Sequence, residues 1–190
     1  MSGSRRTVAH LGDDIRVSGT AFHGPVLGKG TQNITNITAA PAREDHLGSG
    51  TNALRARDYP SAARHFRRLL ALRHDDPFAH YYLALATLHG RNPCEHGHDT
   101  VEAVARRLRA AASLDAACRP AVVAALLVQD AYLQRWGRSR RSLTQGERSL
   151  VRRVPAGRAQ ELTEHVPAPG SVWWRALSAR AEAGRGRGAR

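Results

Sequence analysis

Through the middle of the chain, apolar positions recur at three- and four-residue steps, and that spacing predicts helices. Tyr59, Ala62, Ala63, Phe66, Leu69 and Leu70 form one such face. Pro60 stands at its start, where a missing N–H is harmless, and His74-Asp75-Asp76 ends it. Asp76-Pro77 reads as N-cap and first-turn proline of a second helix, with Phe78, Tyr81, Tyr82, Leu85 and Leu88 inward and Gly90 as its stop. A third helix starts near Asp99-Thr100 and turns Val101, Val104, Ala105, Leu108 and Ala112 inward. A fourth follows Pro120 and carries Val122, Leu126, Leu127 and Leu133 towards Trp136. Ahead of them, Leu47, Gly50, Ala53 and Leu54 predict an opening helix from about residue 44.

Two further helical stretches follow. Leu143–Val154 is a helix-capable run, capped either by Ser142 with Gln145 or by Thr144 with Glu147. Trp173-Trp174 with Leu177 predicts a last amphipathic helix docked on the others; the rival reading is a basic, tryptophan-bearing anchor for membrane or nucleic acid. The Gly/Arg run from 184 to 190 predicts disorder. The chain therefore divides into a flexible segment at 1–43, a helical domain at 44–136, a basic helical extension at 137–177 and a disordered tail at 178–190. The fold class is all-α, with antiparallel helix hairpins and a disordered or β-prone N-terminal segment.

Spacing across the helices adds a repeat. Asp58-Tyr59, Ala62, Phe66 and Leu69 followed by Asp-Asp-Pro resemble a tetratricopeptide repeat, with Gly50, Ala62 and Phe66 at its small, small and aromatic positions. Leu83-Ala84 falls 34 residues past Ser49-Gly50, the repeat length of that family. Leu72 and Leu114 close equivalent helices 42 residues apart, which places an insertion of about eight residues in 91–98. The chain departs from the family where His80 replaces its tryptophan and Val104 a small residue. The resemblance implies stacked helix pairs whose first helices line an inner face, so Tyr81, Leu85 and Leu88 are expected to line a partner groove.

The N-terminal segment follows a different pattern. Glycines at 19, 24, 28 and 30 interrupt every helical turn, and short β-prone pieces (15–17, 26–27 and 33–38) alternate with them. Strands joined by tight arcs and stacked on identical copies would satisfy this pattern, with amide ladders from Gln32, Asn33 and Asn36. Ser18-Gly19-Thr20-Ala21-Phe22-His23-Gly24-Pro25-Val26 resembles the amyloid signalling motifs of bacterial immune and cell-death proteins. Gly28-Lys29-Gly30-Thr31-Gln32-Asn33 is similar to the core of fungal motifs related to the RIP homotypic interaction motif. Leu27-Gly28 departs from the usual Val-Gln, and Pro25 cannot donate to a ladder. The resemblance implies self-association over 15–38, carried by Phe22, Gly24, Val26, Gly28, Gly30, Thr31, Gln32 and Asn33.

Composition changes the picture in three ways. Apolar residues make up 42% of the 190 but aromatics only 5%, which suits thin, alanine-packed helices and one modest core. The formal net charge is +13, and every basic residue except Lys29 is arginine. Together with abundant alanine and glycine this looks like the coding bias of a high-GC bacterial genome, but it also keeps open a basic nucleic-acid-binding protein on a helical scaffold. Two cysteines exclude a disulfide scaffold, and the absence of a long apolar run or secretory leader leads us to expect a cytoplasmic protein without a transmembrane segment.

Signals for chemistry are weak. Residues 24–31 resemble a phosphate-binding loop, but the first glycine is one residue late and Gly30 stands where the metal-binding hydroxyl belongs. Cys94, His96 and His98 offer three weak zinc candidates in the inserted loop, without a second ligand pair. No nucleophile elbow or His-Glu-x-x-His occurs. The sequence thus predicts no enzyme, no cofactor and no metal, and instead a protein-interaction adaptor with protein partners.

Overall fold

The computed structural model describes residues 40–188 apart from Ser139. The assembly motif at 15–38, with Phe22, Gly24, Val26, Gly28, Gly30, Thr31, Gln32 and Asn33, lies outside the described residues. Those described form eight α-helices and no strand: α1 (Ala40–Arg55), α2 (Tyr59–Leu72), α3 (Pro77–Thr87), α4 (His98–Leu114), α5 (Pro120–Leu133), α6 (Gln145–Arg153), α7 (Ala156–His165) and α8 (Val172–Gly188). The fold is all-α, as the periodicity predicts.

Local chemistry sets the helix starts. Asp58 Oδ1 accepts from the Ser61 N–H at 3.1 Å and Asp76 Oδ1 from the Ala79 N–H at 3.0 Å, each beside a first-turn proline. Of the two caps offered for α6, Thr144 is the one used: its hydroxyl accepts from the Glu147 N–H, and Glu147 returns a carboxylate to the Thr144 N–H. The opening helix starts at Ala40 rather than at 44, because Pro41 is tolerated in a first turn.

Each of the first five helices packs on the next, so α1/α2 and α3/α4 are successive hairpins and α5 lies against α4. This is a helical repeat-like stack. The contact between α1 and α2 depends on a missing side chain: a Cβ on Gly50 would lie 2.6 Å from Cε1 of Phe66, whose fully buried ring fills that gap. Leu54, Leu83, Leu85, Leu108 and Leu127 continue the same core. In α5 the buried face is Ala121, Val123, Ala124, Leu127, Val128 and Ala131, whereas Val122 and Leu133, expected inward, are about two-fifths exposed. That helix is apolar on nearly every side, so periodicity could not select its inner face.

The C-terminal part folds back on the stack. Helices α7 and α8 pair with each other, α7 touches α3, and α8 rests on α5 and α6. Trp173 and Leu177 are buried there, in agreement with a docked last helix. The predicted disorder is corrected over 178–188, where α8 runs on through Gly188; residues 189–190 lie outside the described residues. Ala181 is buried, Arg180 Nε donates to the Val154 carbonyl at 3.1 Å, and Gly184 lies so near Ala156 that a Cβ there would meet its methyl. Alanine and arginine are also strong helix formers.

A polar hub holds this return. Asp130, buried on α5, accepts from the Arg140 N–H at 3.0 Å and the Ser171 hydroxyl at 2.6 Å, and Ser171 Oγ accepts from the Trp173 N–H at the start of α8. One continuous stretch, Ala116–Trp136, is long and apolar enough by length and composition to cross a membrane, but 56% of its most apolar 18 residues is buried in the fold, as in a core helix.

The two glycines of α1 separate packing from propensity. Gly48 has nothing within 4 Å of a built Cβ, so Gly48→Ala should raise stability by about 0.5–1 kcal/mol. Gly50→Ala should lower it by about 1–3 kcal/mol, because the Phe66 ring has no room to yield. Urea denaturation of the two variants checks the opposite signs.

Candidate protein-binding cleft

The candidate site forms where α7 faces the end of α1 and the middle of α3. Helix α1 stops in a paired cap: the Arg57 N–H donates to the Leu54 carbonyl and the Asp58 N–H to that of Ala53. Arg57 occupies the left-handed position of this cap with φ 58°, where glycine is usual, at a cost of about 1 kcal/mol. Its side chain lines a cleft of about 770 Å³ together with Arg55, Tyr82, Gln160, Glu161 and Glu164. Arg55 Nη1 is held by Asn52 at 3.3 Å, and Gln160 donates to Glu164 at 2.8 Å.

One wall is built around Arg158. Its guanidinium lies 5.2 Å from the Tyr81 ring centroid and 5.3 Å from that of Tyr82. Nη1 donates to Tyr82 Oη and to Glu161 Oε2, both at 2.6 Å, and Tyr81 Oη donates to the same carboxylate oxygen at 3.4 Å. Burial alone would lower the Arg158 pKa, but the hydrogen bonds and charges of Glu161 and Tyr82 outweigh it and hold the cation firmly protonated. Burial, then the Glu161 charge, raises both tyrosines, so they remain neutral donors. Tyr82 in turn stacks on Phe66 at 5.4 Å, which ties this wall to the α1/α2 contact.

The opposite end is closed by His165, which is buried. Its Nδ1 lies 3.4 Å from Tyr59 Oη and the two rings meet edge-on at 5.9 Å. Burial lowers its pKa, a shift that Glu161 and Glu164 oppose and Arg57 supports, so the neutral ring is favoured.

The predicted groove residues are corrected by this arrangement. Tyr81 is 3% exposed and Leu85 and Leu88 are fully buried, so none of them faces a partner. Helix α7 of the same chain packs on α3 and covers Tyr81, while Leu85 and Leu88 belong to the continuous core. The inserted loop does not gather its metal candidates either. His96 Nε2 lies 3.1 Å from the Leu88 carbonyl, and His98 sits beside Tyr132 and 3.8 Å from Glu102. Cys94 sits in the middle of a short turn, Pro93–Glu95, and no cluster of three or more metal-binding side chains occurs among the described residues. Sequence reasoning missed Arg57, Arg158, Glu161 and His165; the last three sit on α7, 76 or more residues from the aromatic groups they meet.

Comparison with protein-family models, with curated proteins and with solved structures finds no match for this chain.

Removing the Arg158 guanidinium strips two aromatic faces of their cation and leaves Glu161 unpaired. Arg158→Ala should cost about 2 kcal/mol, less than a fully buried pair because both partners keep roughly a quarter of their surface in water. Urea denaturation and faster amide exchange in α7 measure it. His165 sets a pH dependence. Its folded pKa is depressed, so its contribution is present above the unfolded value of about 6.5 and is lost as pH falls below it, at no more than about 1.4 kcal/mol per pH unit. His65 shifts in the same direction, mainly by burial and then by His46. Between pH 7 and 5 the urea midpoint should fall less steeply in His165→Phe than in the parent chain.

Proposed function

We propose that this chain is a non-enzymatic adaptor that brings proteins together, a tetratricopeptide-like body joined to a self-associating leader. The cleft between α1, α3 and α7 carries this reading. It is open, polar and large enough for several side chains of a partner, and it is lined by the first helices of two hairpins. Its three arginines and two glutamates suit a charged protein segment better than an apolar small molecule. The leader adds homotypic assembly by its resemblance to amyloid signalling motifs, through Phe22, Val26, Gln32 and Asn33 among others. A role in bacterial immune or cell-death signalling follows from that resemblance alone.

The reactive groups near the cleft favour no chemistry. Burial, then the charge of Asp115, pushes the Cys118 thiol up to about 11, which leaves little thiolate at neutral pH. His165 is occupied with the Tyr59 hydroxyl.

The full chain tests the reading. In concentrated solution it should form thioflavin-positive fibres, and Phe22→Asp with Gln32→Asp should abolish them while the helical circular dichroism and melting temperature stay unchanged. A full chain that remains monomeric, or a variant that still forms fibres, would remove the leader from the proposal.

A further inference from the structure

Outside the cleft, the largest apolar side chain left in water is Trp136, 53% exposed at the end of α5. A short helical turn, Gln134–Trp136, carries it, and the chain then reverses at Gly137 with φ 67°. The Gly137 N–H donates to the Gln134 carbonyl and the Arg138 N–H to that of Leu133, so the reversal is fixed. Two residues on, the Arg140 N–H is anchored to buried Asp130. Tyr132 meets Trp136 edge-on at 4.8 Å, and the Arg135 guanidinium lies 6.0 Å from the indole centroid. The result is an exposed ring on a fixed turn, with Arg135 beside it and Arg138, Arg140 and Arg141 following within five residues, all exposed.

The charge there is one-sided. No acidic residue occurs from 131 to 146. The flanking carboxylates are spent, Asp130 on Arg140 and Ser171, and Glu147 on Thr144 and the Arg140 side chain. Arg135, Arg138 and Arg141 form no ion pair among the described residues. Exposed arginines spaced along an irregular segment beside an open aromatic ring suit a polyanion that carries flat bases. A bilayer fits less well, since only Leu133 joins Trp136 as an exposed large apolar group here and a membrane-binding helix needs a wide apolar face.

We propose that this patch binds single-stranded nucleic acid, with a base stacked on Trp136 and phosphates on Arg135, Arg138 and Arg141. This inference does not rest on the adaptor reading. The test titrates the full chain into a fluorescein-labelled oligothymidylate at several salt concentrations, with anionic phosphatidylserine vesicles as competitor. Trp136→Ala should weaken binding about tenfold or more with an unchanged melting temperature, and Trp136→Phe should restore most of it. R135Q/R138Q/R141Q should flatten the salt dependence by a log–log slope of about 2. R64Q/R67Q/R68Q, on the exposed face of α2, should change affinity little. Parent-like binding by Trp136→Ala, an equal loss in the α2 variant, or vesicle binding that oligonucleotide does not displace would each overturn the proposal.

Discussion

The structure depends on one continuous stack of rings and charge that crosses it from α1 to α7. The bare Cα of Gly50 admits the Phe66 ring, Phe66 stacks on Tyr82, and Arg158 bridges Tyr81, Tyr82 and Glu161. The first half is apolar packing, where a cavity left by a missing ring costs about 3–5 kcal/mol. The second half is a cation held between two aromatic faces and a carboxylate, which contributes less but has direction. It decides which face of α7 meets α3. With only 5% aromatic residues, the chain concentrates several of them in this one line, and its alanine-lined helices pack around it.

A second constraint closes the fold at its other end. Buried Asp130 would be costly without partners, and it finds them on the two segments that α5 must meet, the Arg140 backbone and the Ser171 hydroxyl. Ser171 also accepts from Trp173 at the start of α8, so one carboxylate sets both the loop after Trp136 and the entry of the last helix. Arg158 and Asp130 together turn an open stack into one whose inner face is covered by its own C-terminal hairpin. That covering explains why Tyr81, Leu85 and Leu88 on α3 are buried, while the open cleft lies between the end of α1 and α7.

Seven of the eight helices were legible in the sequence because their signals are local, whereas α7 was not predicted. Asp58-Tyr59-Pro60, Asp76-Pro77 and Thr144-x-x-Glu147 each place a cap within four residues, and the structure uses all three. Phe66 and its glycine partner were legible for the same reason, as a small and a large residue 16 apart on neighbouring helices. What was not legible is non-local or averaged away. Nothing near Tyr81 announces an arginine 77 residues later, and α5 is too uniformly apolar to declare a buried side. The Gly/Arg tail misled by composition: glycine there marks close approach to Ala156 rather than a break.

Arginine abundance illustrates why composition alone could not locate a site. The same residue type plays three unrelated parts here, distinguished by surroundings. Arg158 is a packed bridge whose charge is consumed by Glu161 and two rings. Arg57 accepts a strained backbone and keeps its side chain in a solvent-open cleft. Arg135, Arg138 and Arg141 stand in water in the segment that carries one exposed indole, without an ion pair among the described residues. A formal charge of +13 sums over arginines in all these settings, so its functional meaning depends on what surrounds each one rather than on their number.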